Sequence, residues 1–221
     1  IDLYDSATCD RLATQAASGR HLRFAPLPAT TATAEASSLL VFLCEDDYPG
    51  WITIDSLQWL KPATTTYQAP SWTASDIQAA IPDVIAFTQA AMAQPNHYRW
   101  GGTVAPNYDC SGLMQAAFAS VGIRIPRDAY QQEAFTQAVA IAEAQPGDLV
   151  FFGNSQKATH VGLYLGSGHY IHSSGLDQGR NGIGIDVLSE EGDPISQAYY
   201  RQFRGVGRVV TSYTPTGHPK G

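Results

Sequence analysis

Sulfur is scarce in this chain of 221 residues, which holds three cysteines, Cys9, Cys44 and Cys110, and two methionines. Three cysteines make no disulfide framework. Cys9 and Cys44 could pair in an oxidising compartment, but each reads first as a core residue. No C-x-x-C and no His/Cys cluster at ligand spacing occurs, which argues against a zinc site, and neither metal nor cofactor is expected. Basic residues are also few: 13 Lys and Arg against 20 Asp and Glu leave a formal charge of −7. With no basic cluster, the chain is not expected to bind nucleic acid, and nothing suggests attraction to anionic lipid. Long apolar runs are missing too, none approaching the roughly 20 residues needed to cross a bilayer, so no membrane partner is expected. There is no internal repeat. The chain opens on Ile1 rather than Met, which suits a removed leader, so this terminus carries no targeting information.

What remains is the composition of an ordinary soluble globular protein, 44% hydrophobic and 15% charged, long enough for one large or two small domains. Two textures divide it. In residues 1–66, Leu39 to Cys44 is a continuous apolar strand candidate. Asp46-Asp47-Tyr48-Pro49-Gly50 reads as a solvated turn, and Trp51 to Ile54 as the returning strand. Short, closely spaced strands suggest a small β-barrel. Residues 67–75 read as a linker. From residue 76 to 221 the pattern is helices followed by strands. Ser75 or Asp76 caps one helical stretch, Pro82-Asp83 opens a longer one, and a third follows Cys110. After Pro146-Gly147-Asp148 the period switches to two, through Leu149 to Phe152, His160 to Leu165, Tyr170 to His172, Ile183 to Val187 and Phe203 to Val210. Helices and then an antiparallel sheet predict an α+β domain. The tail from Thr211 is expected to be loosely held.

The chemistry gathers at Tyr108-Asp109-Cys110-Ser111-Gly112. Cys110 stands at the mouth of the helix pattern Leu113, Ala116, Ala117, Phe118, Val121, where orphan N–H groups and the helix dipole favour a thiolate. Strand alternation sends Val161, Leu163 and Leu165 to one face and His160, Gly162 and Tyr164 to the other. With Gly166-Ser167-Gly168 as a hairpin loop and Leu165 opposite His169, Gly162 faces His172, and His160 and His172 become diagonal neighbours. The small residue on that face leaves room for the Cys110 helix to dock. Cys110 then reads as the nucleophile, His160 as base and acid, and His172 as the group that orients His160. His21, His97, His169 and His218 fall outside this geometry.

Tyr98-Arg99-Trp100-Gly101-Gly102, Asp109 to Leu113, Ile125-Pro126-Arg127-Asp128, Gln145 to Phe152 and His160 to Gly166 occur in that order. Together they resemble the NlpC-type cysteine peptidases of bacterial cell-wall peptides, which have a papain-like core. The Pro-Gly-Trp-Ile run of the first region resembles bacterial SH3-like domains. The combination is similar to the γ-D-glutamyl-L-diamino acid endopeptidases. This resemblance implies cleavage of murein peptides such as L-Ala-γ-D-Glu-diaminopimelate, through a thioester on Cys110, with a preference for a free N-terminal alanine. It implies that Asp109 and Ser111 help to hold the alanine amine and that Tyr48 closes that end of the site. Asp109 reads equally as the cap of the Cys110 helix. Tyr98 and Trp100 read as an apolar wall beside Cys110 or as core aromatics, and Arg127-Asp128 as a local ion pair. Free-amine preference would suit peptide recycling in the cytoplasm. The competing readings are an N-acetylmuramoyl-L-alanine amidase or other acyl transfer on the same core, and an inactive cell-wall binding protein.

Overall fold

The computed structural model describes residues 1–26 and 37–217 and divides the chain into two compact units: residues 1–69 joined by the chain from Thr214 onward, and residues 70–213. His218 lies outside the described residues.

The first unit is one antiparallel sheet of β1 (Asp2–Tyr4), β2 (Leu12–Gln15), β3 (Leu22–Phe24), β4 (Ser38–Leu43) and β5 (Pro49–Thr53), in the order β2-β1-β5-β4-β3. Its core is Leu3, Ala16, Val41, Leu43 and Ile52, against which Tyr48 packs. The acidic turn after β4 differs from the solvated turn that its composition suggests. Glu45, Asp46 and Asp47 are all buried. A buried carboxylate is costly unless paired, and each finds a guanidinium: Arg20 reaches Glu45 at 3.2 Å and Asp46 at 3.1 Å, and Arg23 reaches Asp47 at 3.4 Å. Asp47 also accepts the Thr216 N–H at 2.6 Å and the Gly217 N–H at 3.2 Å. Thr216 and Gly217 are therefore fastened to the first unit rather than loosely held, and the second unit closes at Tyr213.

The second unit begins with α1 (Ala74–Met92), capped by Thr73 in a reciprocal box with Asp76. Pro82 does not open a new helix; it sits inside this one. The buried stripe Ile77, Ile81, Val84 and Thr88 keeps the helix continuous against the ~3 kcal/mol that an interior proline costs. The hairpin β6 (Thr103–Val104) and β7 (Asn107–Tyr108) leads into α2 (Cys110–Ser120) and then α3 (Ala129–Phe135). The sheet is built from β8 (Gln137–Val139), β9 (Leu149–Gly153), β10 (Ala158–Gly166), β11 (His169–Ser174), β12 (Gly182–Val187) and β13 (Phe203–Arg208), with α4 (Pro194–Tyr200) between the last two. All neighbours are antiparallel, in the order β12-β11-β10-β9-β13-β8.

The two faces of this sheet carry different cores. Val161, Leu163, Ile171, Leu149 and Phe151 meet the apolar sides of α1, α2 and α3. Val150, Phe152, Tyr164 and Tyr170 meet Tyr199 of α4. The helix that begins at Cys110 thus docks on the Leu163 face, not on the His160 face as expected, because α2 is apolar at Leu113, Met114 and Phe118 and buries those against the aliphatic side of the sheet. The hairpin register is the anticipated one, Leu163 opposite Ile171 and Tyr164 opposite Tyr170. The turn is tighter than expected: Ser167 and Gly168, both at positive φ, form the two-residue connection, and Gly166 joins the strand beside a bulge.

Candidate active site

The strand ladder explains how a helix on one face brings its thiol against the strand that carries a histidine on the other. The pairing of β10 with β11 runs from the hairpin end back to Leu163 and Ile171. Past that point the tip of α2 sits between the strands: Ser173 of β11 donates to the Tyr108 carbonyl at 2.7 Å, and the Val161 N–H of β10 bonds to the Cys110 sulfur. Cys110 is therefore placed beside Val161, the residue that follows His160. The close fit needs glycine in the first turn of α2. A Cβ at Gly112 would lie 2.0 Å from the Gly102 carbonyl oxygen.

His160 and His172 share the Tyr199 face as strand parity requires, and they touch: His160 Nε2 lies 2.7 Å from His172 Nδ1. The other ring nitrogen of His172 lies 2.7 Å from Asp186 Oδ2, and Arg180 donates to Asp186 Oδ1. Tyr199 stacks on His160 with centroids 4.4 Å apart, and its hydroxyl is tied to Ser174 at 2.7 Å. Asp186, Arg180 and Tyr199 were not singled out from the sequence. Asp186 was within reach, because alternation along Ile183-Gly184-Ile185-Asp186-Val187 puts it on the His172 side. Tyr98 is half-buried, and its phenol stays neutral, held so by burial and by the nearness of Cys110 and Asp109. Trp100 is 58% exposed and forms no buried wall.

Burial favours the uncharged form of each reacting group. The thiol is pushed up to about 12 by desolvation and then by Asp109, with the Val161 and Ser111 N–H groups and Arg127 opposing. This overturns the expectation of a lowered thiol: the helix-tip N–H groups do act, but loss of water outweighs them. His160 is driven well below its ordinary range by desolvation and then by His172, and His172 is lowered by desolvation against the pull of Asp186. Moving the thiol proton to His160 creates both charges at once, and their attraction in a low-dielectric site offsets what opposes each alone.

These shifts give a stability prediction. A buried neutral histidine binds its proton less readily folded than unfolded. The unfolded state therefore takes up more protons below about pH 6.5, and stability is lost as pH falls through that window. Urea midpoints should drop between pH 7.5 and pH 5. His160→Gln, neutral throughout, should flatten part of that slope; an unchanged slope would mean that folding does not lower the proton affinity of His160.

Asp109 caps α2 by accepting from Gly112 N at 2.6 Å. It also accepts from Gly101 N at 2.9 Å, from Ser111 Oγ at 3.3 Å, and from both Nη groups of Arg127 at 3.1 and 2.5 Å. Ser111 in turn accepts from Arg127 at 2.9 Å. Arg127 matches the charge of Asp109, and Ser111 Oγ, which donates once and accepts once here, keeps a second acceptor lone pair. Arg127 turns inward to Asp109 and Ser111, and Asp128 caps α3. Tyr48 belongs to the first unit, where its ring lies against that unit's core. His97 and His169 are exposed, and His21 meets Tyr67 edge-on at 5.8 Å. Among the described residues no group of His, Cys, Asp or Glu is arranged to hold a metal ion, and no helix is long and apolar enough to cross a membrane.

Residues 95–204 match the NlpC/P60 family, and residues 3–57 match the bacterial dipeptidyl-peptidase SH3 domain. The probable endopeptidase p60 of Listeria monocytogenes is 38% identical over 112 residues, 51% of this chain and 21% of that protein. The bifunctional muramidase/DL-endopeptidase CwlT of Bacillus subtilis is 44% identical over 81 residues, 35% of this chain and 25% of that one. The chain thus spans about a quarter or less of the length of these relatives. Among solved structures, an NlpC/P60 family protein from Bacillus cereus superposes with a TM-score of 0.68 at 20% identity, over 92% of this chain and 84% of that one. The peptidoglycan hydrolase RipB of Mycobacterium tuberculosis gives 0.50 at 28% identity, over 62% and 67%.

Proposed function

The chain belongs to the NlpC/P60 family, with an SH3-like domain ahead of the family domain, and from that premise we propose that it is a cysteine endopeptidase of murein peptides. It cuts the amide between the γ-carboxyl of D-glutamate and an L-diamino acid, and it prefers peptides with a free N-terminal L-alanine. The observation that carries the reading is the helix-tip thiol of Cys110 against Val161, one residue from a histidine whose Nε2 is already bonded to His172. That bond leaves Nδ1 of His160 for the thiol proton. The sulfur attacks the γ-carbonyl carbon, and the neutral Tyr98 phenol and the first N–H groups of α2 are the donors for the oxyanion. His160 returns the proton to the leaving amine, and water hydrolyses the thioester.

Two names among the similar proteins support the choice of bond. A DL-endopeptidase cuts between a D and an L residue, as this bond requires, and a dipeptidyl-peptidase SH3 domain accompanies enzymes that release a dipeptide from a free amino end. A free-amine requirement places the enzyme on peptides already released from glycan, and so in cytoplasmic recycling. The test is N-acetylation of the alanine. Losing a charge-assisted hydrogen bond worth about 1.5–3 kcal/mol lowers kcat/KM by roughly ten- to a hundredfold. The acceptors proposed for the alanine ammonium are Ser111 Oγ, which keeps an open lone pair, and the negative potential of Asp109 behind it, so Ser111→Ala should narrow the discrimination. Equal rates on free and acetylated tripeptide would remove the free-amine claim and leave a general murein endopeptidase.

A further inference from the structure

Behind His172 the hydrogen-bonded chain continues to two more residues. We propose that Asp186 and Arg180 are positioning residues that decide, through His172, which nitrogen of His160 is left to accept the thiol proton. This rests on reading Cys110 and His160 as nucleophile and base.

The argument starts at the far end. A carboxylate only accepts hydrogen bonds. Asp186 is buried, and its Oδ2 lies 2.7 Å from His172 Nε2, so that nitrogen carries the hydrogen. In a neutral His172 the proton on Nε2 makes Nδ1 an acceptor. His160 Nε2, at 2.7 Å, must then be the donor. In a neutral His160 that leaves Nδ1 as a bare lone pair. One acceptor at the end of the row thus sets the polarity of two histidines in series. Among the described residues the ring that packs on both histidines is Tyr199, which stacks on His160 and meets His172 edge-on at 4.9 Å, while its hydroxyl is bonded to Ser174. Tyr170 lies against His172 through its ring, with centroids 4.9 Å apart.

Arg180 makes the arrangement directional. It donates to Asp186 Oδ1, so the carboxylate has one oxygen for the guanidinium and the other for His172. The strand is shaped to admit it. Gly184 is the cross-strand partner of His172, and a Cβ there would lie 2.1 Å from Arg180 Nη1. Any side chain at position 184 would displace the guanidinium from Asp186.

The test uses D186N, which keeps shape and replaces one acceptor with a donor. Arg180, which can only donate, takes the amide oxygen, so the NH2 group faces His172 Nε2. The hydrogen of His172 must move to Nδ1, His160 Nε2 must accept, and His160 becomes protonated on Nδ1, the nitrogen needed as base. Nitrogen-15 NMR of the imidazoles should show Nε2–H on both histidines in the wild type and Nδ1–H on both in D186N. By analogy with tautomer inversion in a serine-protease triad, kcat should fall by about 10³–10⁴-fold. The double variant D186N/R180M frees the amide to turn its oxygen to His172. It should restore the wild-type tautomers and regain at least about tenfold of the lost rate. A merely structural role predicts the opposite, a double variant no better than the single one. Unaltered tautomers in D186N, or a double variant without recovery, overturns the proposal. Because the NMR readout needs no substrate, a protein that fails to cut murein peptides would count against the proposed function and still decide this one.

Discussion

Cys110→Ala removes turnover, with a loss of roughly 10⁴-fold or more, and leaves the fold in place. The thiol is buried at the tip of α2, between the Val161 and Ser111 N–H groups, and alanine fills most of its volume without adding a polar group. His160→Gln should be nearly as severe, because nucleophile and base act as one unit and removing either forfeits most of what the set supplies. His172→Ala should cost less, since it acts on the reacting atoms only through His160. The check is kcat on L-Ala-γ-D-Glu-diaminopimelate beside a thermal melt of each variant. A Cys110→Ala protein that melts normally and still turns over would remove the thiol from the chemistry.

Arg127→Leu produces the largest loss of stability. Arg127 is 2% exposed and makes two bonds to Asp109 and one to Ser111. Without it, a carboxylate is left buried with no counter-charge, which costs about 3–5 kcal/mol. For a domain of this size that is a fall of about 10–20 °C in Tm. The unbalanced charge of Asp109 also lies beside the thiol and opposes thiolate formation, so kcat should fall at temperatures where the variant is still folded. Arg127→Leu combined with Asp109→Asn removes the stranded charge and should recover part of both losses. A single variant within about 1 kcal/mol of wild type by urea denaturation would contradict this account of the pair.

What the sequence made legible is what local rules govern. Period-two alternation and a tight hairpin are short-range, so the shared face of His160 and His172 followed from them and appears as a 2.7 Å contact. The same alternation, extended into β12, would have reached Asp186. Docking of α2 was misjudged because the thiol was sent to the face that carries the histidine. Burial instead puts Leu113 and Phe118 on the aliphatic face, with the thiol against Val161, next in sequence to His160. Arg127 and Asp109 are 18 residues apart, on a loop and a helix cap, a spacing with no periodic signature. The same holds for Arg20 and Arg23 with the acidic turn of the first unit.

The central claim is that the γ-D-glutamyl carbonyl is transferred to Cys110. Acid quenching of the protein during turnover of L-Ala-γ-D-Glu-diaminopimelate, followed by mass spectrometry of the digest and of the released products, tests it directly. The account predicts an L-Ala-γ-D-Glu acyl group on the peptide that contains Cys110, with the free dipeptide and diaminopimelate as products. Turnover with the acyl group on another residue, or release of alanine alone, would contradict it.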